Sequence, residues 1–130
     1  MTLNFGLLPG TEIDLKERWQ QQGSTLINTQ NTISSGSTTI RTVTAKKKTY
    51  ITSVIISYEK DGDANDIVDG DKWSILDNAT TKIAMIGATA LQGTTQTLVF
   101  NTPMSFSTSI VVSETAGQFG FSITFLGWEE

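Results

Sequence analysis

The 130-residue chain contains no histidine and no cysteine. The first absence excludes Ser-His-Asp relays, Cys-His pairs and imidazole metal ligands; the second excludes disulfides, thiolate nucleophiles and zinc–thiolate sites. Charge is scarce as well, at 17% of residues, with 13 acidic against 9 basic side chains and a net charge of −4. A surface of that sign is unsuited to neutralising phosphates, so no nucleic-acid partner is expected. No apolar run approaches the roughly 20 residues that cross a bilayer, so no membrane partner is expected either. The start, MTLNFGLLPGTEIDLK, lacks the basic opening and long apolar core of a secretory signal, which implies synthesis in a cytoplasm. No GxxxxGK[ST] phosphate loop is present. No catalytic set stands out, and the chain is expected not to be an enzyme.

What fills the chain is hydroxyl and apolar residues: 21 threonines, 12 serines and a hydrophobic fraction of 38%. β-branched hydroxyl residues suit the water-facing side of a pleated sheet. The length suits one domain able to bury a core without staples. Two segments are expected, an N-terminal arm over residues 1–23 and a β-sandwich over 24–130. In the arm, Thr11-Glu12-Ile13-Asp14 has the form of a helix start, Leu15 and Trp19 are spaced to share one face, and Gly23 is placed to end the helix. The arm reads either as a cap packed on the domain or as an element that docks on a neighbour through Phe5, Leu7, Leu8 and Trp19.

From residue 24 onward the hydrophobic period is two. Strands are expected over Thr25–Ile33 and Thr38–Thr44, around the turn Ser34-Ser35-Gly36-Ser37. The strongest, Tyr50–Tyr58, has one face of Tyr50, Thr52, Val54, Ile56 and Tyr58 and another of Ile51, Ser53, Ile55 and Ser57; both are largely apolar, which places it centrally. Lys72–Asp77 and Lys82–Gly87 form a hairpin about Asn78-Ala79-Thr80, with Trp73 filling core beside Ile75. Thr95–Phe100 and Met104–Val112 flank Pro103, a strand start or corner. The last strand, Phe119–Trp128, carries Phe119, Phe121, Ile123 and Phe125 on one face and belongs mid-sheet. About eight strands with short polar turns give an all-β, antiparallel, jelly-roll-like sandwich.

The densest polar feature is DGDANDIVDGD, Asp61 to Asp71. Asp61, Asp63, Asn65 and Asp69 match the first, third, fifth and ninth positions of a helix–loop–helix calcium loop. The match stops there: Asp66 stands where that loop needs glycine, Lys72 where it needs a bidentate glutamate, and the flanks are strands. A calcium site of another geometry through Asp61, Asp63, Asn65 and Asp69 stays open beside the plainer expectation of a solvated strand connection with no cofactor. Paired carboxylates for acid–base chemistry need one group in an apolar pocket, which this polar, glycine-rich tip does not offer. Lys46-Lys47-Lys48 reads as a solvated turn or as a patch for an acidic partner. Trp73 and Trp128 could line a sugar platform, but Trp73 reads better as core, and Trp128 is the better candidate for an exposed or interfacial tryptophan.

The run Ile40-Arg-Thr-Val-Thr-Ala-Lys-Lys-Lys-Thr-Tyr-Ile-Thr-Ser-Val-Ile-Ile-Ser-Tyr58 resembles a strand–turn–strand of small bacteriophage virion proteins, in which a Val-x-Ala-Gly-Lys-type turn leads into a Tyr-Ile/Leu-Thr strand. Leu98-Val-Phe-Asn-Thr-Pro-Met-Ser-Phe-Ser-Thr-Ser-Ile-Val-Val112 is similar to their F-x-T-P-x-x-F-x-T-G-L segment. Here Ser109 replaces the usual glycine and Lys47 the turn glycine. The resemblance spans about residues 38 to 128. It implies a β-sandwich structural protein of a tailed-phage virion, such as a head decoration or cement protein, made in the host cytoplasm and carried on the particle. It further implies a homo-oligomer, a trimer by preference, bound to the major capsid protein or another virion protein. Within that reading Phe5, Leu7, Leu8 and Trp19 are the partner-binding anchors. A carbohydrate-binding or adhesion module, with calcium at the aspartate loop, is the rival expectation.

Overall fold

The computed structural model describes residues 25–33, 36–60, 66–114 and 119–130. Its strands, in chain order, are β1 (Thr25–Ile33), β2 (Ser37–Thr42), β3 (Thr49–Tyr58), β4 (Lys72–Asp77), β5 (Thr80–Ile86), β6 (Thr95–Phe106), β7 (Ser109–Glu114) and β8 (Phe121–Glu129). One 3-10 turn, Thr89–Leu91, is the sole helical element among the described residues. The strands form two four-stranded antiparallel sheets, β1-β8-β3-β6 and β2-β7-β4-β5. Every connection except the β4–β5 hairpin carries the chain from one sheet to the other, the wrapping of a jelly roll. The all-β sandwich expected from strand count and period is the fold observed.

The two inner faces meet in one aromatic and aliphatic core. Ile51, Val54, Ile56 and Tyr58 of β3 and Phe121, Ile123 and Phe125 of β8 face Trp73 and Ile75 of β4 and Ile110 and Val112 of β7, all buried. Phe121 is the centre of the packing: its ring lies 5.2 Å from both Trp73 and Phe119, and 6.2 Å from Tyr58. β3 and β8 are the two interior strands of their sheet, in keeping with the apolar residues on both faces of β3 and the aromatic row on one face of β8.

Two elements differ from the alternation read in the sequence. In β3 the register slips between Ile51 and Ser53 against both neighbours: against β8 Thr52 is an extra residue, whereas against β6 it stands opposite the longer stretch 100–103. Val54, Ile56 and Tyr58 therefore share the inner face with Ile51, and Tyr50 and Ile55 share the outer one; a strict period of two had divided them otherwise. Secondly, β6 runs unbroken through Pro103 to Phe106. Pro103 lies in the irregular stretch between Val99, opposite Ser53, and Met104, opposite Ile51, on an edge strand where its missing N–H forfeits no ladder bond. The corner expected at Pro103 falls instead at Ser107-Thr108, where the chain crosses to β7 in the other sheet.

Candidate functional site

The register places side chains on the solvent side of the β1-β8-β3-β6 sheet in rows. Leu26, Trp128 and Tyr50 are successive neighbours across β1, β8 and β3. The next row holds Asn28, Leu126, Ser53 and Val99, and the one after it Thr124, Ile55 and Thr97. Leu26 and Val99 are 75% and 73% exposed, while Tyr50, Trp128, Leu126 and Ile55 are half-buried. Lone apolar residues on a surface are ordinary; six grouped on one flat sheet face form a patch of the kind that marks a contact surface.

The bulge at Thr52 builds the aromatic end of this patch. Gly127 sits opposite Ile51, and a Cβ there would lie 1.8 Å from the Tyr50 carbonyl oxygen, so β8 approaches β3 as closely as it does only because residue 127 has no side chain. The Thr52 hydroxyl donates to the Leu126 carbonyl at 3.1 Å and holds the extra residue in place. With the strands drawn together, Tyr50 and Trp128 stack at 5.3 Å with 20° between their planes. Rings arranged this way occupy one face of each other.

Beneath the same end lies a charged anchor. Glu129, 2% exposed, accepts from the Thr44 amide at 3.2 Å, the Thr44 hydroxyl at 2.5 Å and the Thr49 hydroxyl at 3.0 Å, and pairs with Arg41 Nη2 at 3.3 Å. Burial alone would raise this carboxyl, but the hydrogen bonds and the guanidinium outweigh it and bring its pKa to about 2. Lys48 and Glu130 exchange backbone hydrogen bonds at 2.8 and 3.0 Å, closing β8 onto the turn of Lys46, Lys47 and Lys48, all three exposed. The left-handed residue of that turn is Lys46, with φ of 68°. A basic rim thus borders the apolar patch.

The sequence-derived candidates fall elsewhere. Phe5, Leu7, Leu8 and Trp19, like Asp61, Asp63 and Asn65, lie outside the described residues. Asp69 is exposed and its Oδ1 accepts from the Thr89 amide at 2.8 Å. The second half of the aspartate loop is anchored: Asp66 is buried, Ile67 inserts fully into the core against Gly87, and Asp71 accepts from the Val68 amide at 2.8 Å. No group of three or more acidic, histidine or cysteine side chains is gathered for a metal among the described residues. Asp77, the other displaced carboxylate, belongs to the architecture. Burial pushes it up, but the amides of Ser107, Thr108 and Ser109 and the charge of Lys82 more than offset this and hold it below the ordinary range. It pins the β6–β7 crossing to the end of β4. Burial raises the Tyr58 phenol, the Trp73 indole opposing, and its hydroxyl donates to Gln96 at 3.0 Å.

Sequence reading named Trp128 but missed its companions, because an unrecognised bulge hides Tyr50 and Ile55 on one face. The available signal was in β8, whose outer positions pass from Ser122 and Thr124 to Leu126 and Trp128.

No protein-family model and no curated protein matches the chain. Among solved structures, a chain of the extra small virus (XSV) virus-like particle of the giant freshwater prawn Macrobrachium rosenbergii is similar at 16% identity and a TM-score of 0.39, covering 82% of this chain and 76% of that one. The family 32 carbohydrate-binding module of C. perfringens NanJ, solved with galactose, is similar at 15% identity and a TM-score of 0.41, covering 82% and 99%. At these values neither likeness says anything of this chain's role. No helix among the described residues is long and apolar enough to cross a membrane.

Proposed function

We propose that this chain is a non-enzymatic structural protein of a tailed-phage virion that decorates the head shell and stabilises it. The observation that carries the reading is the apolar face of Leu26, Tyr50, Ile55, Val99, Leu126 and Trp128 on a rigid sheet, rimmed by exposed lysines. A flat apolar centre with a polar rim is the anatomy of a protein–protein contact. The two displaced carboxylates are held ionised by structural partners, so neither is suited to giving or taking a proton near neutral pH. Stabilisation would follow from mass action: each bound copy adds interface to the assembled shell and none to the free subunits. A trimer around a shell symmetry axis, with residues 1–23 reaching the neighbouring capsid protein, is the arrangement this reading favours. The rival reading is a sugar-binding role, in which calcium would sit at Asp61, Asp63, Asn65 and Asp69.

The test is co-sedimentation of the purified chain with a panel of intact tailed-phage heads, alongside a glycan array. Binding to heads that Val99→Asp abolishes without altering the circular dichroism spectrum is the expected result. Glycan binding that Trp128→Ala abolishes, with no sedimentation on any head, would replace this reading with the sugar-binding one.

A further inference from the structure

A sheet edge presents unpaired N–H and C=O groups, and natural sandwiches blunt such edges with charge, bulges or cover. Three of the four edges here are blunted. β1 and β2 lie beside each other and close one flank of the sandwich. β2 is further interrupted by a bulge at Ile40 beside Arg41, and β5 by one at Lys82, an exposed lysine with no counterpart on β4. The outer edge of β6 has none of these devices over Thr95–Val99, and no described strand pairs with it. No charged residue stands between Lys82 and Glu114. Backbone hydrogen bonds fix which groups of this edge are free. The Tyr58 amide donates to the Thr94 carbonyl, and one residue on the Glu59 amide turns the other way, to the Gly120 carbonyl. In an antiparallel ladder that direction alternates, so Gln96 and Leu98 bond to β3 while the amides and carbonyls of Thr95, Thr97 and Val99 point away from it. All three residues are exposed. Beyond Val99 the register breaks and Pro103 lacks a donor, which confines the template to Thr95–Val99. The core is also least covered on this flank, where Ile83, Met85, Leu91, Leu98, Phe100 and Met104 are only partly buried.

We infer that β6 pairs with β6 of a second copy, antiparallel about a two-fold axis through Thr97, and joins two β1-β8-β3-β6 sheets into one. A second copy is the occupant because the edge is complementary to itself. The register centred on Thr97 engages all three free residues: Thr97 faces Thr97 of the second copy and Thr95 faces its Val99, each facing pair exchanging two backbone bonds. Thr–Thr is a favourable cross-strand pair, and no like charges meet, since β6 has none. The same approach brings the two open flanks together, so the partly buried core residues of each copy gain cover from the other. The apolar outer faces of both copies stay open. The inference goes beyond the proposed function and does not depend on it: a two-fold pair forms in the free protein, whereas the threefold arrangement is one that a shell would impose.

The experiment is sedimentation equilibrium of the full chain from low micromolar to millimolar concentration. A monomer–dimer equilibrium is the expected result. Thr97→Pro removes both bonds at the two-fold axis without costing one within the chain, and should weaken dimerisation about thirtyfold with circular dichroism unchanged. Should that variant fail to fold, Thr97→Lys leaves the backbone intact and opposes two lysines at the axis. It should weaken dimerisation about tenfold at low salt, with recovery as salt is added. Register is read by disulfides, since the chain has no cysteine. Cα atoms facing across a hydrogen-bonded antiparallel pair lie about 5.5 Å apart, within disulfide reach. Thr97→Cys should cross-link to its own kind, and Thr95→Cys to Val99→Cys when those two variants are mixed. Neither Thr95→Cys nor Val99→Cys should cross-link alone. A monomer at every concentration overturns the inference. So does a dimer that Thr97→Pro and Thr97→Lys leave unchanged, or one whose disulfides follow another register.

Discussion

Glu129→Gln isolates the charge of the buried carboxylate with almost no change of shape. In the folded protein this carboxyl falls from an ordinary 4.5 to about 2. Each tenfold change in proton affinity is worth about 1.4 kcal/mol, so the charged form contributes at most about 3 kcal/mol to folding. Arg41 is 26% exposed and its attraction is partly screened, so the measured figure should fall somewhat below this ceiling. The sign follows from a depressed folded-state pKa. The contribution is essentially complete above about pH 5.5 and declines as pH falls toward 2, with about three-fifths gone by pH 3. Urea midpoints for wild type and variant, measured from pH 7 to pH 3, provide the assay. Other titrating groups, Asp77 included, are shared by both chains and cancel in the difference. The expected result is a wild-type advantage of about 2 to 3 kcal/mol at pH 7 that shrinks to about 1 kcal/mol at pH 3. An advantage that stays constant with pH, or grows on acidification, would refute the reasoning and leave only a packing defect in the variant.

Gly127→Ala would set a Cβ against the Tyr50 backbone, where neither chain has a flexible end to yield; thermal unfolding should show a loss of about 3 kcal/mol or more, and near-ultraviolet dichroism should report the parted Tyr50–Trp128 pair. Asp77→Ala removes the acceptor of three backbone amides at the β6–β7 crossing; about 2 kcal/mol should be lost in urea unfolding, with the Ser107–Ser109 amides gaining hydrogen-exchange rate. Lys46→Gly relieves a left-handed backbone, and a gain of about 0.5 to 1 kcal/mol is expected from denaturation. Millimolar calcium should move the melting temperature by less than about 1 °C if the aspartate loop is a plain connection, whereas a rise of about 4 °C or more would point to a calcium site.

Residues with one strong local preference were legible in the sequence. Phe121, Ile123 and Phe125 alternate with serine and threonine, and only a strand with one buried face accommodates that order; Trp73 and Ile75, two apart among polar neighbours, were placed in the core on the same ground. Lys46-Lys47-Lys48 was legible as a solvated turn between two strands. These features depend on period and burial, which are properties of a few adjacent residues. The strand Tyr50–Tyr58 was recognised, yet its faces were assigned wrongly past Ile51. A bulge is set by how two neighbouring strands accept an extra residue, and Gly127, which accommodates Thr52, lies far away in the chain.

The site depends on the same distinction. No run of the sequence contains the patch, since Leu26, Tyr50, Val99 and Trp128 come from four strands and become neighbours only through antiparallel register. Glu129 looks in the sequence like one of two trailing acids beside Trp128; it becomes a strongly held carboxylate because pairing with Thr25 and Thr49 turns it inward beneath Thr44 and Arg41. The sequence by itself determined the class, since a period of two, threonine-rich surfaces and short turns leave little but a sandwich. Tertiary structure decided the wrapping, the bulge, the inward glutamate and the outward aromatic pair, because each depends on contacts between segments whose separation along the chain carries no local signal.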